Sequence, residues 1–160
     1  MSEHCTSRVR VTGPGASLDR FASTSLRTHD GRVVLVLDAL VPNPHDSSSP
    51  DYLDWAEDHW GFRDGPLCEV KLLGRSPGEI SFEVTTRIGM LSFGVSGSPA
   101  PWASAVVDTD ATLRIVILWN NEFGAAGLVT VAHGALIDVA MRSAALVGHG
   151  WRDAPWVFDQ

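Results

Sequence analysis

Two alternating stretches joined by a turn constrain this chain more than anything else in it. In Leu67–Leu73, Val70 and Leu72 alternate with Glu69 and Lys71; in Glu79–Thr86, Ile80, Phe82 and Val84 alternate with Glu79, Ser81 and Glu83. Gly74-Arg75-Ser76-Pro77-Gly78 lies between them and is rich in turn residues. A period of two sends alternate side chains to opposite sides of a strand, so the pattern predicts an antiparallel β-hairpin with one apolar face. A hairpin cannot bury that face unaided and needs more strands and a covering layer.

The remaining segments predict both. Val9 and Val11 alternate with Arg8, Arg10 and Thr12, which predicts a first strand over Cys5–Thr12. Gly13-Pro14-Gly15 breaks it, and a short helix follows, with Ser17 as N-cap, Asp19 in the first turn and Leu18, Phe21 and Ala22 as its apolar stripe. Asp30-Gly31 marks a turn before a β-branched strand, Val33 to Leu37, and the polar stretch from Pro42 to Pro50 reads as an exposed, mobile loop. Asp51 caps a second helix, whose Tyr52, Trp55, Ala56, His59 and Trp60 share one face and which Gly61 ends. Met90 to Val95 is apolar but crowded by glycine, and reads as irregular or weakly stranded. A third helix begins near Pro101-Trp102 and continues through Ala103, Val106 and Val107. Leu113–Trp119 and Gly127–His133 form an antiparallel pair, and Ala135–Val147 reads as a last helix ended by Gly148.

Residues 1–147 are thus expected to form a single domain and 148–160 a tail carrying Trp151, Trp156 and Phe158. The element order predicts an α+β fold, a ferredoxin-like antiparallel sheet with helices packed mainly on one face. A chain of 160 residues suits one such core.

Composition narrows the function classes. The formal charge of −7 and the lack of any Arg/Lys run disfavour nucleic acid as a partner. Cys5 and Cys68 are too few for a disulfide scaffold, and no CxxC or HxxxH spacing suggests a metal. The longest aliphatic run, Val33 to Leu37, falls far short of a bilayer span, and the first residues lack an apolar signal core. A soluble protein of the bacterial cytoplasm is expected. Eleven of the twelve bases are arginine, with Lys71 the exception, which we read as the mark of a GC-rich genome.

Several motifs, in order, resemble the YubB-type ferredoxin-like family of phage, prophage and plasmid proteins. They are Cys5-Thr-Ser-Arg-Val-Arg-Val-Thr-Gly13 with Phe21 in the following helix, Leu40-Val-Pro-Asn-Pro44, Trp55 with His59-Trp-Gly61, Ile80-Ser-Phe-Glu-Val-Thr85, Ser98-Pro99, and Asn121-Glu-Phe-Gly124 with Gly127. Two features depart from the family pattern: Phe62-Arg63 follows the Trp-Gly pair where the family has lysine, and Arg87 to Gly97 separates Thr86 from Ser98. The resemblance implies a ferredoxin-like fold and a mobile-element origin, and carries over no activity.

The residues supply no catalytic constellation. Asp51, Asp54, Glu57 and Asp58 make a hydrated helix face. His4-Cys5-Thr6 and His45-Asp46-Ser47 fit a two-histidine phosphoesterase pattern but lack its strand context. Gly94-Val-Ser-Gly-Ser98 misses the serine-hydrolase elbow by one position, and neither a dinucleotide fingerprint nor a phosphate loop is present. The expectation is therefore a non-enzymatic accessory protein that binds a host or phage protein, with no cofactor, metal or membrane partner and with homo-oligomerisation left open. The alternative is a small-molecule or nucleotide-binding module, a sponge or hydrolase of a host signal. Candidate ligand or partner residues are Trp60, Trp102, Asn120, Asn121 and Glu122: the tryptophans for stacking, the polar trio for its place at a strand end.

Overall fold

The computed structural model describes residues 4–62, 65–87, 100–121, 125–133 and 135–143. The elements run β1 (His4–Thr12), α1 (Gly15–Ser25), β2 (Leu26–His29), β3 (Arg32–Val36), a single 3-10 turn (Leu37–Ala39), α2 (Asp51–His59), β4 (Leu67–Ser76), β5 (Glu79–Arg87), α3 (Pro101–Thr109), β6 (Arg114–Asn121), β7 (Ala125–Ala132) and β8 (Ala135–Ser143). The strands form one sheet in the order β2-β3-β4-β5-β1-β6-β7-β8, and every neighbouring pair is antiparallel. The chain is an α+β protein built on an antiparallel sheet. The order of the whole sheet is not that of a ferredoxin-like sheet, because β2–β3 extend one side and β7–β8 the other.

The hairpin that dominates the sequence forms as β4–β5, paired from Val70↔Val84 to Ser76↔Glu79 with a bulge between Leu72 and Gly74. β1 lies at the centre, between β5 and β6.

Several elements differ from expectation. Ala135–Ser143 is a strand paired to β7, not a helix; Ile137, Val139 and Met141 alternate with Asp138 and Arg142, and an adjacent open edge rewards that period over the alanine-driven helical one. β2 follows α1 directly, and the Asp30-Gly31 turn folds it onto β3 with positive φ at both positions, 50° and 75°, as a tight hairpin demands. Neither expected N-cap holds: Ser17 lies inside α1, whose N-cap is Pro14, and Asp51 is the first residue of α2, whose N-cap is Pro50; the Ser17 hydroxyl is engaged elsewhere. Met90 to Val95 and the tail from 148 lie outside the described residues.

All three helices cover one face of the sheet. Leu18 and Phe21 of α1, Ala56 of α2, and Trp102 and Val106 of α3 join Val9, Val11, Phe82, Ile115, Ile117 and Val129 in one apolar cluster. The Phe21 ring lies 6.5 Å from Phe82 and 6.2 Å from Trp102, so three aromatics on three elements tie the helical layer to the strands. The other face carries cross-strand ion pairs, Arg8–Glu83 at 3.4 Å and Arg10–Glu79 at 3.2 Å. Next to them Val116, Leu118 and Leu128 are also buried, outside the main cluster. No helix among the described residues is long and apolar enough to cross a membrane.

Candidate functional site

Where α1, the 3-10 turn and α3 meet, a cleft of about 390 Å³ opens, floored by Phe21, Leu40, Val106 and Leu113 and lipped by Ser17, Arg20 and Asp110. Such a volume suits a small ligand, and an apolar floor with a few convergent polar groups is the usual form of a binding site.

The lip is fixed by local chemistry at two distant places in the chain. α3 ends at Thr109, and Asp110 takes an extended conformation beyond it. Its Oδ1 accepts from the Thr112 backbone N–H at 3.1 Å and from the Thr112 hydroxyl at 2.6 Å, an Asx turn that swings the chain into β6. Ser17 sits in the first turn of α1, 4% exposed, with its Oγ 2.7 Å from Thr112 Oγ1. Because the Thr112 proton is committed to Asp110, Ser17 donates to Thr112. Arg20, one helical turn on, donates from Nη2 to Ser17 Oγ at 3.1 Å and to Asp110 Oδ2 at 3.4 Å. The relay therefore runs Arg20→Ser17→Thr112→Asp110. Gly13 lets this loop come close: a Cβ there would lie 3.0 Å from both Leu113 Cδ2 and the Thr112 carbonyl oxygen.

This arrangement holds charge and does not activate a nucleophile. The Ser17 proton points to a hydroxyl, not to a base. The Thr112 hydroxyl above all, with the Thr112 N–H and the Arg20 guanidinium, outweighs partial burial and holds the Asp110 carboxyl at about 2, below its ordinary 3.8. Arg20 keeps Nε and Nη1 without partners among the described residues, on a side chain 68% exposed. The site offers an oriented guanidinium above an apolar floor.

The depressed Asp110 value fixes the direction of a pH effect. A carboxyl whose folded value lies below its unfolded one adds stability that is complete above roughly pH 4 and vanishes as pH falls through about 2. Asp110→Asn should melt below the parent protein at pH 6 and draw level with it near pH 2, as read from thermal unfolding across that range. A gap independent of pH would assign the loss to something other than the carboxylate charge.

Of the residues singled out in the sequence, Trp60 and Trp102 do not line this cleft. Trp60 and Trp102 are both 0% exposed, in the core rather than on a ligand face. Trp60 Nε1 donates to the Val41 carbonyl at 2.9 Å and its ring meets Tyr52 and Trp55 edge-on. Asn120 and Asn121 are the last residues of β6, and Glu122 lies outside the described residues. Among the described residues no group of three or more His, Cys, Asp or Glu side chains could hold a metal. The Pro42–Pro50 loop is knit by its own side chains, with Asn43 Nδ2 donating to the Tyr52 carbonyl at 3.1 Å and Asp46 Oδ1 accepting from the Ser48 N–H at 3.1 Å. Sequence reasoning missed Arg20, Asp110 and Thr112. Asp110-x-Thr112 after a helix is a legible Asx-turn signal, but Ser17 and Thr112 lie 95 residues apart, and only the fold joins them.

No family model, curated protein or solved structure matches this chain.

Proposed function

We propose that this protein is a binding module for a small amphipathic anion, one with a carboxylate or phosphate head and an apolar body. The observation that carries the reading is Arg20, oriented by Ser17 and Asp110 over the floor formed by Phe21, Leu40, Val106 and Leu113. A guanidinium held in place loses less entropy on taking an anion than a freely moving one, and its remaining donors suit a two-oxygen acceptor.

Hexanoate, hexyl phosphate and inorganic phosphate separate the two parts of this claim. Either amphiphile should raise the melting temperature, by an amount equivalent to about 2.7 kcal/mol at 100 times its Kd, while phosphate alone does much less. Arg20→Met should weaken the amphiphile at least tenfold by calorimetry. Absence of any shift with all three compounds would remove the proposal.

Two finer readings of the fold and origin belong with it. We infer that the block β1-α1-β4-β5-α3-β6 follows a ferredoxin-like plan within the larger sheet; its support is the central order β4-β5-β1-β6 with a helix in each crossover. Kinship with the YubB-type family and a mobile-element origin rest on the ordered motifs alone. A protein partner is the second reading of function, favoured by the exposed leucines of β4.

A further inference from the structure

We propose that the outer edge of β4, from Lys71 to Ser76, docks an extended acidic segment of a partner protein, which joins the sheet as an added strand. β3 pairs with β4 only at Val34↔Glu69, Leu35↔Cys68 and Val36↔Leu67, whereas β5 follows the other side of β4 from Val70 to Ser76. The outer N–H and C=O groups of Lys71–Ser76 thus have no strand partner among the described residues, and an unpaired ladder is a template for another chain.

A cleft of about 360 Å³ runs beside that edge, with Leu26, Val33 and Leu72 in its apolar lining and Arg27, Arg75 and Asp19 as its charged groups. Leu72 is 48% exposed and Leu73 39%; with Leu67, three of the four exposed large hydrophobics among the described residues belong to β4. Single surface leucines need no explanation; Leu67 lies on the stretch that β3 pairs, and Leu72 and Leu73 are the two that stand on the open edge.

Charge selects the occupant. The chain as a whole carries −7, yet this edge presents Arg27, Lys71 and Arg75. Arg27 and Lys71 are exposed and make no ion pair among the described residues, and Arg75 is held against Asp19 at 2.7 Å. A second copy of the chain would bring a second set of the same cations to the edge, and like charges oppose that pairing. A lysine and a bulge also discourage indiscriminate strand addition; here they admit an acidic strand and turn away a basic one. Acidic side chains of the incoming segment answer Arg27 and Lys71, since Arg75 is already matched by Asp19, and its apolar ones answer Leu72 and the cleft.

The test uses two fluorescent octapeptides, alternating glutamate–valine and alternating lysine–valine, titrated by anisotropy against the full chain. The glutamate peptide should bind at least tenfold more tightly than the lysine peptide, and should weaken as salt rises. Arg27→Glu with Lys71→Glu, both exposed and outside the Arg20 cleft, should invert that preference; Lys71 stands opposite Glu83, so the double variant should melt a few degrees lower but unfold cooperatively as the parent does. Equal binding of the two peptides, no binding of either, or no inversion in the double variant each overturns the proposal. So does a dimer in sedimentation that dissociates in the double variant, since a second copy would then own the edge. Because Arg20 is untouched, hexyl phosphate binding reports separately on the cleft.

Discussion

Leu118→Ala should cost about 2–5 kcal/mol of stability, the range for a buried leucine truncated in a core. The side chain points away from the helices, to the face where Arg8–Glu83 and Arg10–Glu79 lie, and a one-sided sheet would leave it wet. It is instead 0% exposed. Its neighbours in register are Arg8 on β1 and Leu128 on β7, and Val116 precedes it on the same face. Urea unfolding should show a lower midpoint with an unchanged slope. Arg114→Ala, an exposed change on the same face of the same strand, should stay within about 0.5 kcal/mol of the parent protein. If Leu118→Ala cost no more than that control, the second buried face would be disproved.

The paired tryptophans give the second large effect. Truncation of either Trp60 or Trp102 to alanine should cost about 3–5 kcal/mol, because both are 0% exposed. Phenylalanine separates them. Trp60→Phe removes the donor to the Val41 carbonyl, a 2.9 Å bond that pins the chain beyond the 3-10 turn to the end of α2. Trp102 Nε1 is buried with no hydrogen-bond partner among the described residues, so Trp102→Phe gives up volume but also removes an unpaired donor. Trp60→Phe should therefore cost more than Trp102→Phe by about 1–3 kcal/mol, the penalty for leaving a buried polar group unmatched. Equal losses in the two variants would mean that the Val41 bond contributes nothing net.

Those two tryptophans also mark what could be read from the residues alone. Trp60 shares a helical face with Tyr52 and Ala56, and that period pointed to the core more strongly than to a stacking platform. The β4–β5 hairpin, β1 and the α3 start at Pro101 were legible for the same reason: each depends on the local order of apolar and polar residues or on a single backbone constraint. The run Ile115-Val116-Ile117-Leu118-Trp119 held a further signal, since five apolar residues in succession suit a strand buried on both sides. β8 was illegible because Ala135–Ser143 satisfies two periods at once, and only the free edge of β7 decides between them.

The candidate site was less legible than the fold. Asp110 and Thr112 form a local turn, but what makes the turn a lip is Ser17 and Arg20 arriving from the opposite end of the chain. That contact follows from the register that sets β1 beside β6, Thr12 opposite Arg114, which brings the start of α1 to the end of α3.

By itself, the order of residues determined that the segments of β1, β3, β4, β5, β6 and β7 are strands, where α1, α2 and α3 lie, and that the covering layer is helical, because periodicity and turn chemistry act over a few neighbours. Tertiary structure alone decided the order of strands in the sheet, the conversion of the last segment to β8, the burial of Leu118 and the meeting of Arg20 with Asp110. Each of these depends on which surfaces remain unpaired after the local elements have formed, and that is a property of the whole assembly.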